Sequence, residues 1–335
     1  MVIEENVPLA PLTTFFIGGP ARYFVRVKTI EELKQSLDYA RDQNLATLIL
    51  GGGSNVLVSD AGFDGLVIKI EMAGVERLPA GKAGDGDTLI AEAGESWDRL
   101  VERAVAGGLW GIENLSGIPG TAGAAPVQNI GAYGSEVKNT LAWVDAFDTR
   151  SGTVARLGNA ECMFGYRTSR FKKEPGRFVI TRAAFALDKN GAPDASYKDL
   201  AGCGALSIAQ VRERVLSVRS RKFPDLRVEG TAGSFFLNPV VSAQKAAELL
   251  AKYPDLPHFK AENGVKVSLA WLLDHALGIK GLSVGGARLF ERQPLVISAL
   301  RTARSRDVAE LARKVADLVR DKLKIDIEPE VKIIN

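Results

Sequence analysis

Short apolar runs closed by glycine alternate with helical spacings through the first half of the chain. Residues 22–27 read as a strand. Thr29 and Glu32 form a capping box, and Leu33, Leu37 and Ala40 follow at helical spacing, so a helix is predicted to end near residues 43–44. A short apolar strand, 47–50, runs into Gly51-Gly52-Gly53-Ser54-Asn55. Val56-Leu57-Val58, a turn over 60–65 and a strand over 66–70 complete a small βαβ-like unit. A polar, glycine-rich turn is expected over 80–87, and a strand over 88–93. Ser96 is the expected cap of a helix over 97–106, which Gly107-Gly108 stops. Strands are predicted over 141–148, 153–157 and 178–187.

The texture changes near residue 190. Ser207 and Gln210 open a helix reaching about residue 220, and a basic, proline-containing link covers 221–227. Helices over 242–252 and 269–277 and a strand over 295–298 follow. Residues 307–323 form an amphipathic helix with Val308, Leu311, Val315, Leu318 and Val319 on one apolar stripe. A strand over 330–334 ends the pattern, which contains no internal repeat.

Composition narrows the class. The chain has 335 residues, which suits two or three domains, and its 46% hydrophobic and 25% charged residues mark a folded, soluble protein. A net charge of +3 does not suggest a nucleic-acid binder. Cys162, Cys203, His258 and His275 lack metal-ligand spacing, so no metal site is expected. With no disulfide framework, secretory signal or bilayer-spanning run in the pattern, the expected location is the cytoplasm.

One stretch breaks every regular pattern. Residues 116–134 carry Gly117, Gly120, Gly123, Gly131 and Gly134, with Pro119 and Pro126 among small side chains. Such a segment lets main chain approach a large flat object and bond to its edge. Ile118, Val127, Ile130 and Tyr133 are too apolar for a solvated linker. The second glycine run, 51–55, is suited to an anion nest for a pyrophosphate, with Ser54 and Asn55 adding donors. It is neither a Rossmann fingerprint, since Val56 stands where the third glycine belongs, nor a P-loop. An elongated dinucleotide suits the pair of stretches, and FAD fits better than NAD.

Four further stretches carry candidate chemistry. Arg167 sits among aromatic and small residues, a setting for gripping a carboxylate, with a surface ion pair as the competing reading. The basic run 219–227, with Lys222 beside Phe223-Pro224, suits a diphosphate clamp, a nucleic-acid contact or a solvated face. Ser234 lies between Gly233 and Phe235-Phe236 and is not in a hydrolase elbow, so a proton-donating hydroxyl is the better reading. Glu330, beside Pro329 at a strand start, gains a raised pKa if it is buried and is otherwise a solvated carboxylate.

These stretches, in this order, resemble the UDP-N-acetylenolpyruvoylglucosamine reductase (MurB) family. The matching pieces are Thr13-Thr14-Phe15, Gly51-Gly52-Gly53-Ser54-Asn55, Ile118-Pro119-Gly120 through Gln128-Asn129-Ile130-Gly131-Ala132-Tyr133-Gly134, Gly165-Tyr166-Arg167, Ala232-Gly233-Ser234-Phe235-Phe236 with Asn238-Pro239, and Glu328-Pro329-Glu330-Val331. Ser196-Tyr197-Lys198-Asp199-Leu200 looks like the tyrosine loop of the family's larger subtype.

The resemblance implies an α+β fold: a two-subdomain FAD-binding region of the vanillyl-alcohol-oxidase type plus a C-terminal α+β substrate domain. Residues 1–70 would form the first FAD subdomain, joined by the strand 328–335, 71–190 the second, and 191–327 the UDP-sugar domain. It implies catalytic roles for Arg167, Ser234 and Glu330, and substrate contacts from Tyr197, Lys222, Asn238 and Gln293. FAD would be held by Gly51, Gly52, Gly53, Ser54 and Asn55, by Gly117, Ile118, Pro119 and Gly120, by Ala122, Gly123 and Ala124, and by Gln128, Asn129, Ile130 and Gly131. NADPH is the implied reductant and UDP-GlcNAc-enolpyruvate the implied substrate, with no nucleic acid, membrane insertion or obligate protein partner. Leu237 stands where relatives often have Lys, and Ala122 and Ala124 replace the more usual Val and Gly. Another flavin oxidoreductase of the superfamily, a hydroxy-acid or aldonolactone oxidase, is the alternative. A non-enzymatic nucleotide- or nucleic-acid-binding protein is a more distant one.

Overall fold

The computed structural model describes residues 1–79, 86–194 and 196–335. The chain forms two compact units. One comprises Met1–Val7, Ala21–Gly53 and Asp64–Arg219, and the other Pro8–Pro20, Ser54–Phe63 and Ser220–Asn335. Residues 191–219, assigned from sequence to the substrate domain, thus lie in the first unit.

The first unit holds two sheets. The smaller has the strand order Ile3–Pro8, Pro20–Val27, Phe63–Ile70, Ala46–Leu50, the last two parallel with Ala46 opposite Gly65. The turn expected over 60–65 is therefore partly strand, while the opening strand has no strong alternation to announce it. Helix Ile30–Asp42 buries Leu33, Ser36 and Ala40. Thr29 accepts from the Glu32 amide, but the Glu32 carboxylate reaches the amide of Lys28 at 2.7 Å, so the box closes one residue early.

The larger sheet is antiparallel, in the order Thr153–Gly158, Leu141–Asp148, Phe178–Asp188, Gly86–Glu92, Val75–Leu78. Most of the turn expected over 80–87 lies outside the described residues; Gly86 and Asp87 already belong to a strand. Helix Trp97–Ala106 buries Trp97, Leu100, Val101 and Ala104, and Trp97 meets Phe185 edge-on with centroids 5.4 Å apart. Ser96 is at the cap position, but its side chain makes no capping hydrogen bond. Its backbone pairs with Thr121 instead, which fixes its conformation through the glycine-rich stretch. Helix Ile208–Lys222 starts with the predicted Ser207–Gln210 box, closed by bonds of 2.9 and 3.4 Å. It buries Val211, Val215 and Val218 against Tyr133, Leu200 and Cys203, and takes up the start of the basic link.

In the second unit, helix Ser305–Leu323 buries Val308, Leu311, Val315 and Val319 completely, while Leu318 stays half-exposed. Two three-stranded sheets have the orders Val240–Val241, Gly264–Val267, His258–Ala261 and Ser283–Val284, Ala287–Leu289, Ile297–Ala299. The segment expected to be a helix over 269–277 has α geometry only at Leu269–Trp271, then a π turn at Leu272–Ala276. Strand Lys332–Ile334 pairs in parallel with Val56–Val58.

Asp145 anchors the larger sheet electrostatically. It accepts from Arg156 at 2.8 and 3.0 Å and from Arg182 at 3.1 and 3.0 Å, while Arg156 lies 3.6 Å from the Trp143 ring centre. Burial pushes its carboxyl up, but the two guanidinium groups outweigh that and hold it below the ordinary value. A depressed folded-state pKa stabilises the fold above the unfolded value and loses that contribution as pH falls through the folded one. Asp145→Asn is therefore expected to cost about 1.5–3 kcal/mol near neutral pH. It should also flatten the decline of the urea midpoint below roughly pH 4. Urea titrations of both proteins across pH check this.

Candidate active site

Strand Ala46–Leu50 delivers Gly51, Gly52 and Gly53 to the glycine-rich stretch within the first unit. A Cβ on Gly52 would lie 2.6 Å from the Gly120 Cα, and one on Gly51 would lie 2.9 Å from Thr121 Oγ1. Main chain therefore touches main chain here. Gly120 has φ +135°, open only to glycine. No acceptor among the described residues takes a hydrogen bond from the amides of Gly51, Gly52 and Gly53. Three successive donors, the last at a residue with φ +62°, make an anion nest. Lys69, its pKa lowered by burial, donates to the Gly51 carbonyl.

Beyond Gly120 the chain coils on itself. The amides of Ala124 and Ala125 donate to Thr121, and that of Ile130 to Ala125. Ala122 and Ala125 point into the core, so Ala122 can meet a cofactor only through main chain. The Gly117 amide donates to Asp98 at 2.6 Å, and Asp98 also accepts from Arg212 at 2.7 and 2.9 Å. Pro119 is exposed; Ile118 and Gln128 are half-buried.

Arg167 belongs to the same unit. It sits in a left-handed turn, φ +53°, an uncommon conformation for a residue with a side chain. Its guanidinium donates to the Gly131 carbonyl and lies near the Tyr166 ring, 5.7 Å from its centre. Tyr197 packs edge-on against Tyr133, with centroids 5.6 Å apart, and burial raises its pKa. Tyr133 is pushed up to about 12 by burial, against the lowering effect of Arg219, whose own pKa burial lowers.

Ser234 and Glu330 lie in two segments of the second unit that are hydrogen-bonded to each other. Phe235 accepts from the Glu330 amide at 2.8 Å, and Leu237 donates to Glu328 at 3.0 Å. On its other side, Ser234 pairs with Val296, at the end of a turn whose Gln293 donates to Phe290 at 3.1 Å. Asn55 donates from its side chain to the Glu330 carbonyl at 3.2 Å and accepts from Lys332 at 3.0 Å. Asn238 Oδ1 accepts from the Leu269 amide at 2.9 Å. Ser54 and Lys222, at the end of its helix, also lie in this unit. Among the described residues no cluster of His, Cys, Asp or Glu could hold a metal ion, and no helix is long and apolar enough to cross a membrane.

Known proteins carry the same two parts. The family profile of an FAD binding domain matches residues 21–158, and that of the UDP-N-acetylenolpyruvoylglucosamine reductase C-terminal domain matches residues 225–334. UDP-N-acetylenolpyruvoylglucosamine reductase of Neisseria gonorrhoeae is 40% identical over 98% of this chain and 96% of its own length. The Chromobacterium violaceum protein of that name is 41% identical, over 99% and 98%. The chain belongs to the UDP-N-acetylenolpyruvoylglucosamine reductase family. A solved reductase of that name from Thermus caldophilus is similar across 100% of both chains, with TM-score 0.71 and 28% identity. This reductase is an FAD-dependent oxidoreductase of α+β fold, and the hydroxy-acid or aldonolactone oxidase alternative is not favoured.

The residues present fit the flavin. A dinucleotide of this shape needs unoccupied main-chain donors for its diphosphate, which 51–53 offer, and a surface of small residues for its ring, which 120–124 offer. Sequence reasoning passed over Asp98, Arg212 and Glu136, whose spacing resembles ordinary solvated helix and loop charges.

Gly52→Ala tests the cradle. The added methyl must displace the Gly120 backbone, and no side chain can yield in its place. The variant is expected to fold but to bind FAD at least ~10-fold more weakly, as a close-fitting contact moves by an ångström or so. Flavin fluorescence on titrating the apoprotein measures it.

Proposed function

We propose that Arg167, Ser234 and Glu330 divide the chemistry of this reductase, while Tyr197, Lys222, Asn238 and Gln293 hold a sugar nucleotide. The reaction is the NADPH-dependent, FAD-mediated reduction of UDP-N-acetylglucosamine enolpyruvate to UDP-N-acetylmuramate, a step of peptidoglycan precursor synthesis. Bound FAD, once reduced by NADPH, supplies a hydride to the terminal vinyl carbon. The cofactor is held by Gly51, Gly52, Gly53, Ser54, Asn55, Gly117, Ile118, Pro119, Gly120, Ala122, Gly123, Ala124, Gln128, Asn129, Ile130 and Gly131, chiefly through main chain, and at Asn129 through main chain alone. Residues 1–70 and 71–190 serve as the FAD subdomains, the strand 328–335 joins the first, and 191–327 bind the UDP-sugar. Tyr197 serves as the mobile tyrosine of the larger subtype. A cytoplasmic location suits two charged, water-soluble co-substrates.

Adding hydride to the vinyl terminus leaves negative charge on the neighbouring carbon and the carboxylate beyond it, as an enediolate. Arg167 grips that carboxylate with parallel N–H donors. Glu330, when it carries a proton, donates a further hydrogen bond as charge builds. Ser234 hands its proton to the carbon. Serine is a weak acid, and the enediolate is basic enough to take its proton. Lys222 pairs with the diphosphate as a point charge.

The single observation supporting this division is the bond from the Glu330 amide to the carbonyl of Phe235, the residue next to Ser234. Ser234→Ala is the direct test. NADPH should still bleach the flavin, while re-oxidation by substrate slows by ~10²–10⁴-fold. Stopped-flow absorbance separates the two, and near-normal turnover would remove Ser234 from the mechanism. Lys222→Ala is expected to raise KM for the sugar nucleotide with little loss of kcat, the mark of uniform binding. Steady-state kinetics against that substrate check this, and an unchanged KM would rule out a diphosphate role.

A further inference from the structure

Asn129 is fully buried, in the left-handed conformation with φ +46°. Its side chain is spent within the protein. Nδ2 donates to Glu136 Oε2 at 3.0 Å and to the Gly165 carbonyl at 3.1 Å, and Oδ1 accepts from the Lys138 amide at 3.0 Å. A side-chain amide has two N–H donors, so none remains for a cofactor.

The partners of that amide lie on two different loops. Glu136 and Lys138 belong to the short hairpin that pairs Gly131–Ala132 with Ser135–Glu136, and to the turn after it. Gly165 opens the turn that carries Arg167; its amide donates to the Thr168 carbonyl at 3.0 Å, and the Thr168 amide donates to the Gly165 carbonyl at 3.3 Å. Arg167 holds the same two loops together from its own end, by donating to the Gly131 carbonyl. The turn is thus fastened twice to one three-residue segment, 129–131.

We propose that Asn129, together with Glu136, is a positioning residue that sets the Arg167 guanidinium, and not a side-chain contact to the cofactor. This rests on the reading above, in which Arg167 grips the substrate carboxylate. The left-handed backbone at Arg167 is costly for a residue with a side chain, so the turn keeps that shape only if its surroundings impose it. Asparagine suits position 129 twice over, because it tolerates the left-handed region and supplies two donors in fixed geometry. Glu136 is held in turn by Lys138 Nζ at 2.8 Å. An aspartate at 129 would set a second carboxylate against Glu136 and the Gly165 carbonyl, with nothing to donate.

The experiment compares wild-type holoenzyme with Asn129→Asp, Glu136→Ala, Glu136→Gln and Arg167→Ala. It reads flavin bleaching by NADPH, re-oxidation by UDP-GlcNAc-enolpyruvate, FAD affinity of the apoprotein, and hydrogen exchange of the segment 163–170. Asn129→Asp and Glu136→Ala are expected to slow re-oxidation by ~10²-fold, as a misplacement of about 1 Å does. Exchange should quicken at 165–168 in both, with FAD affinity and bleaching within about threefold of wild type. Glu136→Gln keeps an acceptor oxygen and should restore both rate and exchange. If Asn129→Asp does not fold, Glu136→Ala carries the test from a half-exposed position. Weakened FAD binding with normal re-oxidation of loaded enzyme would overturn the proposal, and so would an unchanged Glu136→Ala. Wild-type re-oxidation in Arg167→Ala would instead fell the role of Arg167 itself, and the proposal with it.

Discussion

Two stretches of main chain approach each other so closely at Gly52 and Gly120 that a single methyl group would separate them. The first unit is arranged around that contact. The parallel pair Ala46–Leu50 and Phe63–Ile70 carries the first stretch to it. The second arrives from the end of helix Trp97–Ala106 and is stitched to Glu95 and Ala93 by the amides of Ala122 and Gly123. Close approach of two backbones leaves amides facing outward with no room for side chains, which is what a diphosphate and a flat ring require.

The same segment then changes character. After Ala125 its bonds turn inward, and Asn129, Tyr133 and, across from them, Arg167 all take left-handed backbone angles. Such residues are costly and persist only where neighbours over-determine them. The neighbours here are polar: Asn129 with Glu136, Arg167 with Gly131, and Tyr133 with Arg219. The glycine run 51–53 keeps unbonded amides among the described residues, whereas side-chain bonds tie down the turn that carries Arg167.

Much of this was legible in the sequence, for identifiable reasons. The helices at Ile30–Asp42, Trp97–Ala106, Ala243–Lys252 and Ser305–Leu323 have clean apolar stripes and glycine or polar ends, so local pattern and tertiary packing agree. The glycine runs were visible because nothing else in a folded chain is so bare. The short strands Ser283–Val284 and Ala287–Leu289 and the hairpin His258–Ala261 with Gly264–Val267 went unseen, because two- to four-residue strands lack a period to read. Leu272–Ala276 looked like α-helix because a π turn keeps helical spacing over so short a run. At the site, residue types with distinctive neighbours, such as Ser234 and Arg167, stood out. Asn129 was read as a cofactor contact, since adjacency to a glycine-rich stretch is visible in a sequence and the direction of a side chain is not.

Asp98 illustrates what such reasoning cannot reach. Alone, it is one acidic residue in the first turn of a helix, where the helix dipole favours it and nothing more is required. In the fold it takes the Gly117 amide with one oxygen and both guanidinium nitrogens of Arg212 with the pair. Burial pushes its carboxyl up, yet the Arg212 and Gly117 bonds prevail and hold it below its ordinary value. Gly117 would clash with Leu216 and Arg219 if it carried a Cβ, so helix Ile208–Lys222 presses directly on the start of the glycine-rich stretch. One carboxylate therefore joins three segments distant in sequence: the helix that carries it, the glycine turn, and the helix bearing Arg212 and Arg219. Within the first unit, the start of the glycine-rich stretch is thus tied to the helix that carries Arg212 by charge-assisted bonds through Asp98.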